Sequence, residues 1–218
     1  MEKASIMYSN AGNMIIPMIL SIFGEEWVIY SSAFIVVQLI LLWTHGKTLV
    51  CGEKKMEWKK ILSNVNIISI AIGVLFMAFR IYLPEVITST FNTVGSTMAP
   101  LSMLVIGMMI ARMDMKQTVR NRRIYLIAVL RLVLCPLIGL VLTRGLWGGI
   151  QLKHANTILF ISYLATITPV CSTITQMTQV YGGDEKYASA INIMTTLGCL
   201  LSIPLMTGLY GLLMNFQL

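Results

Sequence analysis

Seven apolar segments, each about twenty residues long, recur along this 218-residue chain. A helix that crosses the hydrocarbon core of a bilayer needs about 20 residues, so the recurrence predicts an all-α polytopic membrane protein. The segments are residues 4–23, 27–43, 64–82, 96–113, 124–143, 157–180 and 188–210. Charged residues make up 11% of the chain, against roughly 25% in a soluble domain, which excludes a water-soluble fold.

The basic residues flank the apolar segments and so predict the orientation of the chain in the membrane. Twelve of the sixteen lysines and arginines fall on one side if the segments span in turn, and Arg80, Arg144 and Lys153 fall on the other. Because cytoplasmic loops retain positive charge, we expect the N-terminus to be cytoplasmic and the C-terminus external, in the plasma or inner membrane of a cell. The net charge of +7 therefore indicates topology, with membrane lipid as surroundings and no nucleic-acid partner.

The first and sixth segments resemble each other at an offset of 159 residues. Asn10 then corresponds to Pro169, Asn13 to Ser172 and Gly24 to Gly183. An odd number of spans, five, separates the two glycine-acid turns, which predicts an inverted repeat of the kind many secondary transporters have. Residues 1–43 would be the last two helices of the first repeat, 44–63 a cytoplasmic basic linker, and 64–218 a complete second repeat of five helices.

Polar residues and prolines interrupt these two related segments in mid-span. In hydrocarbon such groups cost free energy unless protein or a water-filled cavity satisfies them. We therefore predict two unwound helices that face each other near the midplane and bind a carboxylate substrate. An alternative for the small and hydroxyl residues is that they only let helices pack closely. The candidate substrate-binding residues are Asn10, Asn13, Pro17, Pro169, Ser172, Thr173 and Arg131.

Arg131 is the one charged residue deep inside a predicted span, since Arg80 and Arg112 lie within two residues of the ends of theirs, and two interpretations of it stay open. It could extend to the cytoplasmic headgroups, or it could face the interior and attract an anion. No aspartate or glutamate lies within a span, which disfavours a sodium or proton site built on a buried carboxylate.

Other functional classes lack the residues they need. The four cysteines and two histidines are scattered, so we expect no metal, no disulfide framework and no cofactor. A retinal protein would need a lysine in its last span, and residues 188–210 contain none. A membrane enzyme would need paired carboxylates or a nucleophile with its base at bilayer depth. The chain is therefore not expected to be an enzyme.

Several stretches of the sequence, in this order and spacing, resemble the auxin efflux carrier family and, more widely, the superfamily that includes bile acid, arsenite and riboflavin transporters. Residues 9–24 resemble the fourth helix of that family, 98–107 the seventh, 131–136 the eighth and 165–183 the ninth. The resemblance implies a ten-helix transporter of small organic anions, such as auxin or dicarboxylates like malate and malonate. It places Asn10 and Pro169 where its two broken helices cross.

The sequence departs from the family pattern at three points. Ser9 replaces a proline of the plant exporters, Val65 stands where many relatives have Asn-Pro, and counterparts of helices one to three are missing. The primary hypothesis is a permease or efflux carrier of small organic anions that works by alternating access. The alternative is a truncated or split product, inactive until a homodimer or a partner completes it with three N-terminal helices.

Overall fold

A computed structural model of the chain describes residues 1–52, 63, 65–97, 100, 101, 104, 107, 108, 111, 121–147, 149 and 154–214. In this part of the chain the helices are α1 (Glu2–Met7), α2 (Ala11–Ile22), α3 (Val28–Cys51), α4 (Val65–Ala78), α5 (Glu85–Ser96), α6 (Arg122–Trp147), α7 (Ala155–Ile167), α8 (Ser172–Val180) and α9 (Glu185–Met214). Among them, α3, α6 and α9 are long and apolar enough to cross a membrane. The prediction of an all-helical polytopic membrane protein is confirmed.

The first and sixth apolar segments are each divided into two helices. Residues 8–10 separate α1 from α2, and residues 168–171 separate α7 from α8. Ser9 and Val170 form an antiparallel β-bridge, so the two breaks pair with each other. The two broken, crossing helices predicted from the polar interruptions are therefore present.

Other boundaries differ from the sequence prediction. Helix α3 continues past residue 43 to Cys51 through a π-helical turn at Leu42–Gly46, into the stretch predicted as the linker. The structure has an additional helix, α5, between the third and fourth predicted segments, and Pro84 is its N-cap residue. Proline has a fixed φ and no N–H to lose, which suits it to a helix start. The rest of the linker, residues 53–62, and most of residues 98–120 lie outside the described residues.

The hydrophobic core lies around α7, which is the helix most completely surrounded. Phe160 and Leu164 of α7 pack with Ile15 and Ile19 of α2, and Tyr163 stacks on Tyr210 of α9 with ring centroids 4.7 Å apart. The described side chains of α4 and α5 are in contrast nearly all exposed. The crossing thus lies in a packed group made of α1–α3 and α6–α9.

The termini of the packed helices lie at two opposite ends of the bundle that α1–α3 and α6–α9 form. At one end the N-terminal ammonium donates to the Leu49 carbonyl (3.0 Å), and Glu2 accepts from the Tyr187 hydroxyl (2.7 Å) and lies 3.9 Å from Arg123. We call this the basic end, because Lys3, Lys47, Arg122, Arg123 and Lys186 are at the helix ends gathered there. At the other end, Trp27 packs edge-on against His154.

Candidate functional site

The backbones of the two breaks hold each other directly. The Asn10 amide donates to the Pro169 carbonyl (2.8 Å), and the Cys171 amide donates to the Tyr8 carbonyl (3.1 Å). Pro169 has no N–H, so it can only accept in this pairing. Backbone groups released by the unwound segments are thereby satisfied within the protein, as hydrocarbon surroundings require.

Side chains of α3 and α9, the helices that follow the two broken helices, hold the breaks in place. Gln38 of α3 donates through Nε2 to the Ser9 carbonyl and accepts from the Ser9 hydroxyl (2.9 Å). Asn192 of α9 donates to the Val170 carbonyl (3.3 Å), while the Thr195 hydroxyl accepts from the Val170 amide (3.3 Å). Each break is therefore bonded to a polar position on a mainly apolar helix.

Sequence reasoning missed Gln38, Asn192 and Thr195, because only the first and sixth apolar segments have prolines and clustered polar residues in mid-span. A signal was nevertheless present in the sequence. A glutamine or asparagine in mid-span is costly unless it has a polar partner. Gln38 and Asn192 could have been assigned to the two breaks on that ground.

Three of the predicted site residues come together where α2 and α8 begin. The Asn13 side chain donates to Ser172 Oγ (3.3 Å). Ser172 Oγ in turn donates to Asn10 Oδ1 (3.5 Å). Asn10 and Ser172 are buried, at 6% and 4% exposed. Thr173 follows Ser172 in the first turn of α8 and is partly exposed. We call Asn10, Asn13 and Ser172 the amide cluster.

Of the other predicted site residues, Pro169 is bonded to the amide cluster through the Asn10 backbone, whereas Pro17 is not bonded to it. Pro169 belongs to the break itself. Pro17 is exposed inside α2, four residues and so about one helical turn beyond Asn13. The chain unwinds at Ser9 and does not unwind at Pro17. Pro17 therefore does not join the residues at the crossing.

Arg131 is buried at the crossing, at 3% exposed, and does not extend to the headgroups. Its Nη1 donates to the Ile6 carbonyl (3.0 Å) and its Nη2 to the Thr166 carbonyl (3.1 Å). The Thr168 carbonyl accepts from both Nε (3.1 Å) and Nη2 (3.0 Å). The guanidinium therefore binds the C-terminal ends of α1 and α7.

A cavity of about 370 Å³ lies beside Arg131 between α3 and α6. Its floor is polar, with Ser9, Gln38, Arg131 and Thr166. Its walls are mainly apolar side chains, which are Phe34, Val37 and Leu41 of α3 and Ile138 and Leu142 of α6. The cavity is thus an apolar groove between α3 and α6 that opens onto the break of the first helix.

Tyr8 connects the first break to the π-helical turn of α3. Its hydroxyl donates to the Leu41 carbonyl (2.9 Å) and lies 2.9 Å from Nδ1 of His45. A π turn shifts the hydrogen-bond register of a helix and exposes carbonyls to side chains. Within the described residues, His45 belongs to no group of three or more potential metal ligands, and no other such group occurs there.

Comparison with protein families gives one match. A family model described as "Membrane transport protein" matches residues 49–207, which is about three quarters of the chain. The matched stretch includes α6, both halves of the second broken helix and most of α9. A comparison with curated proteins gives no match, and neither does a comparison with solved structures.

Proposed function

The chain belongs to the membrane transport protein family, and on this premise we propose that it carries small organic anions across a cell membrane by alternating access. The observation that carries the proposal is the crossing of two broken helices with the amide cluster where α2 and α8 begin. The proposed substrates are dicarboxylates and auxin-like monocarboxylates. The substrate would bind at Asn10, Asn13, Ser172 and Thr173.

The ends of the half-helices favour an anion over a cation at the amide cluster. Helix N-termini carry partial positive charge, about half an elementary charge for a full helix, and present backbone N–H groups. Neither Asn10 nor Cys171, the N-cap residues of α2 and α8, caps its helix with a side-chain hydrogen bond. A carboxylate between the two ends would accept from these backbone groups and from the Asn and Ser side chains.

The contacts at the crossing support the inverted repeat. In a two-fold arrangement, a residue on the axis contacts its own counterpart. Two pairs separated by 159 residues do so, the Asn10 amide with the Pro169 carbonyl and Asn13 with Ser172. The hydrogen bond at the C-terminal end of α2 runs from the Gly24 amide to the Ile19 carbonyl. Its equivalent at the end of α8, 159 residues later, runs from the Gly183 amide to the Thr178 carbonyl. We propose that the two halves are related by such an axis.

We also propose that the basic end is cytoplasmic. Five lysines and arginines are at the helix ends gathered there, whereas Arg144 lies near the opposite ends of α6 and α9. We expect an impermeant thiol reagent added to sealed cells to label Glu26→Cys and to leave Arg122→Cys unlabelled until the membrane is opened. The reverse pattern would place the N-terminus outside.

The groove between α3 and α6 favours a second candidate, in which the transporter is complete only with further helices. Its apolar walls flank the polar floor at Ser9 and Gln38, a place where a transmembrane helix would shield the break from lipid. A partner polypeptide or a second copy of the chain could supply that helix. The chain would then bind substrate weakly or not at all by itself.

Reconstitution in liposomes tests both proposals together. We expect saturable uptake of labelled malonate or of a monocarboxylate, but not of a labelled amine, when the chain is preceded by the first three helices of a family member. Little uptake by the chain alone supports the second candidate, and equal uptake by both proteins contradicts it. Uptake of the amine with no carboxylate uptake would contradict the proposed substrate class.

A further inference from the structure

We propose that Arg131 is a positioning residue that holds the C-terminal ends of both broken helices and thereby fixes the spacing of the anion-binding N-termini. Its guanidinium touches carbonyls on both sides of the crossing and none of the residues of the amide cluster. The inference deepens the proposed function, because it concerns the same site.

The need for such a residue follows from the two helix ends. The last carbonyls of a helix have no intrahelical partner. Helix α1 ends at Met7, which lines the cavity beside Arg131, and α7 ends at Ile167, which is fully buried. Water cannot reach and satisfy them in hydrocarbon. Arg131 donates to one carbonyl of α1 and two at the end of α7, including the C-cap residue Thr168.

Charge balance explains how the buried guanidinium is tolerated. Among the described residues, no carboxylate forms an ion pair with Arg131, and the predicted spans contain none. The ends of α1 and α7 both present partial negative charge to it, up to about half an elementary charge each. Two such ends therefore offset part of the guanidinium charge without an acidic residue. This leaves the positive ends of α2 and α8 available for a substrate carboxylate.

The shape of arginine also matters for this role. A guanidinium is planar, with donors in a fixed fork, so one side chain binds carbonyls from two helices at set angles. Arg131 lies within the π turn Leu130–Leu134, just before Pro136. The wider turn and the proline alter the local register of α6. A lysine at this position would keep the charge but could not reproduce the planar contacts.

The test compares Arg131→Lys and Arg131→Gln with a matched control, Arg144→Gln. Arg144 lies on the same helix and also donates to a backbone carbonyl, that of Leu213, but far from the crossing. Spin labels at the exposed positions Ser21 and Gln179, near the outer ends of α2 and α8, report the geometry of the crossing. Binding of malonate and propionate to the same reconstituted proteins gives the affinities.

We expect both Arg131 variants to broaden the distribution of label distances. They should also weaken the binding of malonate and of propionate by the same factor, about 10- to 150-fold. Arg144→Gln should change neither the distances nor the two affinities. A ligand role would instead weaken the dicarboxylate more and leave the distances unchanged. Full rescue by Arg131→Lys would show that charge alone suffices. Either result overturns the proposal, as does an unchanged distance distribution.

The two readouts separate this inference from the proposed function. If the wild-type protein binds neither malonate nor propionate, the proposed substrate class fails. The distance distributions then still decide the role of Arg131, because they need no ligand. If Arg131→Gln does not insert, Arg131→Lys and the control supply the comparison.

Discussion

Replacing Gln38 with leucine is expected to lower the unfolding free energy by about 2 to 6 kcal/mol and to abolish uptake. The substitution leaves two buried groups of Ser9 without their partner, the carbonyl and the hydroxyl, at about 1 to 3 kcal/mol each. Ser9 is only 4% exposed. Hydrogen bonds between regular membrane helices average about 0.6 kcal/mol, but the carbonyl here belongs to an unwound segment that has few other partners.

Unfolding in mixed micelles and uptake by proteoliposomes measure the effect of Gln38→Leu. The matched control is Ser32→Ala on the same helix, because the Ser32 hydroxyl donates only to the Val28 carbonyl of α3 itself. We expect the control to stay within about 0.5 kcal/mol of the wild type. Equal losses for the two variants would mean that Gln38 does not hold the break.

The sequence was sufficient to predict the helical membrane class and the two broken helices. Both follow from local chemistry, since length and apolarity define a span and polar residues beside proline identify an interruption. The exact point of unwinding was less accessible. In the first broken helix Pro17 stays within α2, and the chain unwinds at Ser9, where Gln38 and the second break supply partners.

Residues that act across long sequence distances could not be placed from the sequence. Arg131 could extend to lipid or face inward, and local pattern did not decide between these. The decision depends on Ile6 and Thr166, which lie 125 and 35 positions away in the chain. The partners of Asn192 and Gln38 are likewise set by packing. Periodicity identifies a buried face, but it does not identify the atom that a buried polar group will bind.

The amide cluster yields the other large expected effect. We expect Asn10→Ala to weaken binding of malonate or propionate by about 10- to 150-fold, because a hydrogen bond to a charged group contributes about 1.5 to 3 kcal/mol. The side chain of Asn10 does not cap α2, so its removal should leave the helix and insertion intact. Equilibrium binding to purified, reconstituted protein measures the change.

A matched control and a double-mutant cycle decide whether the cluster acts on the substrate. Asn121→Ala removes an asparagine that does cap its helix, α6, by accepting from the Arg123 amide, so we expect it to lower stability by about 1 kcal/mol without changing affinity. Asn13 and Ser172 contact each other as counterparts in the proposed repeat. If both bind one carboxylate, the losses from Asn13→Ala and Ser172→Ala should not add, since either substitution frees the other group to move. Additive losses would indicate separate contacts, and unchanged affinity in all three variants would move the anion site away from the crossing.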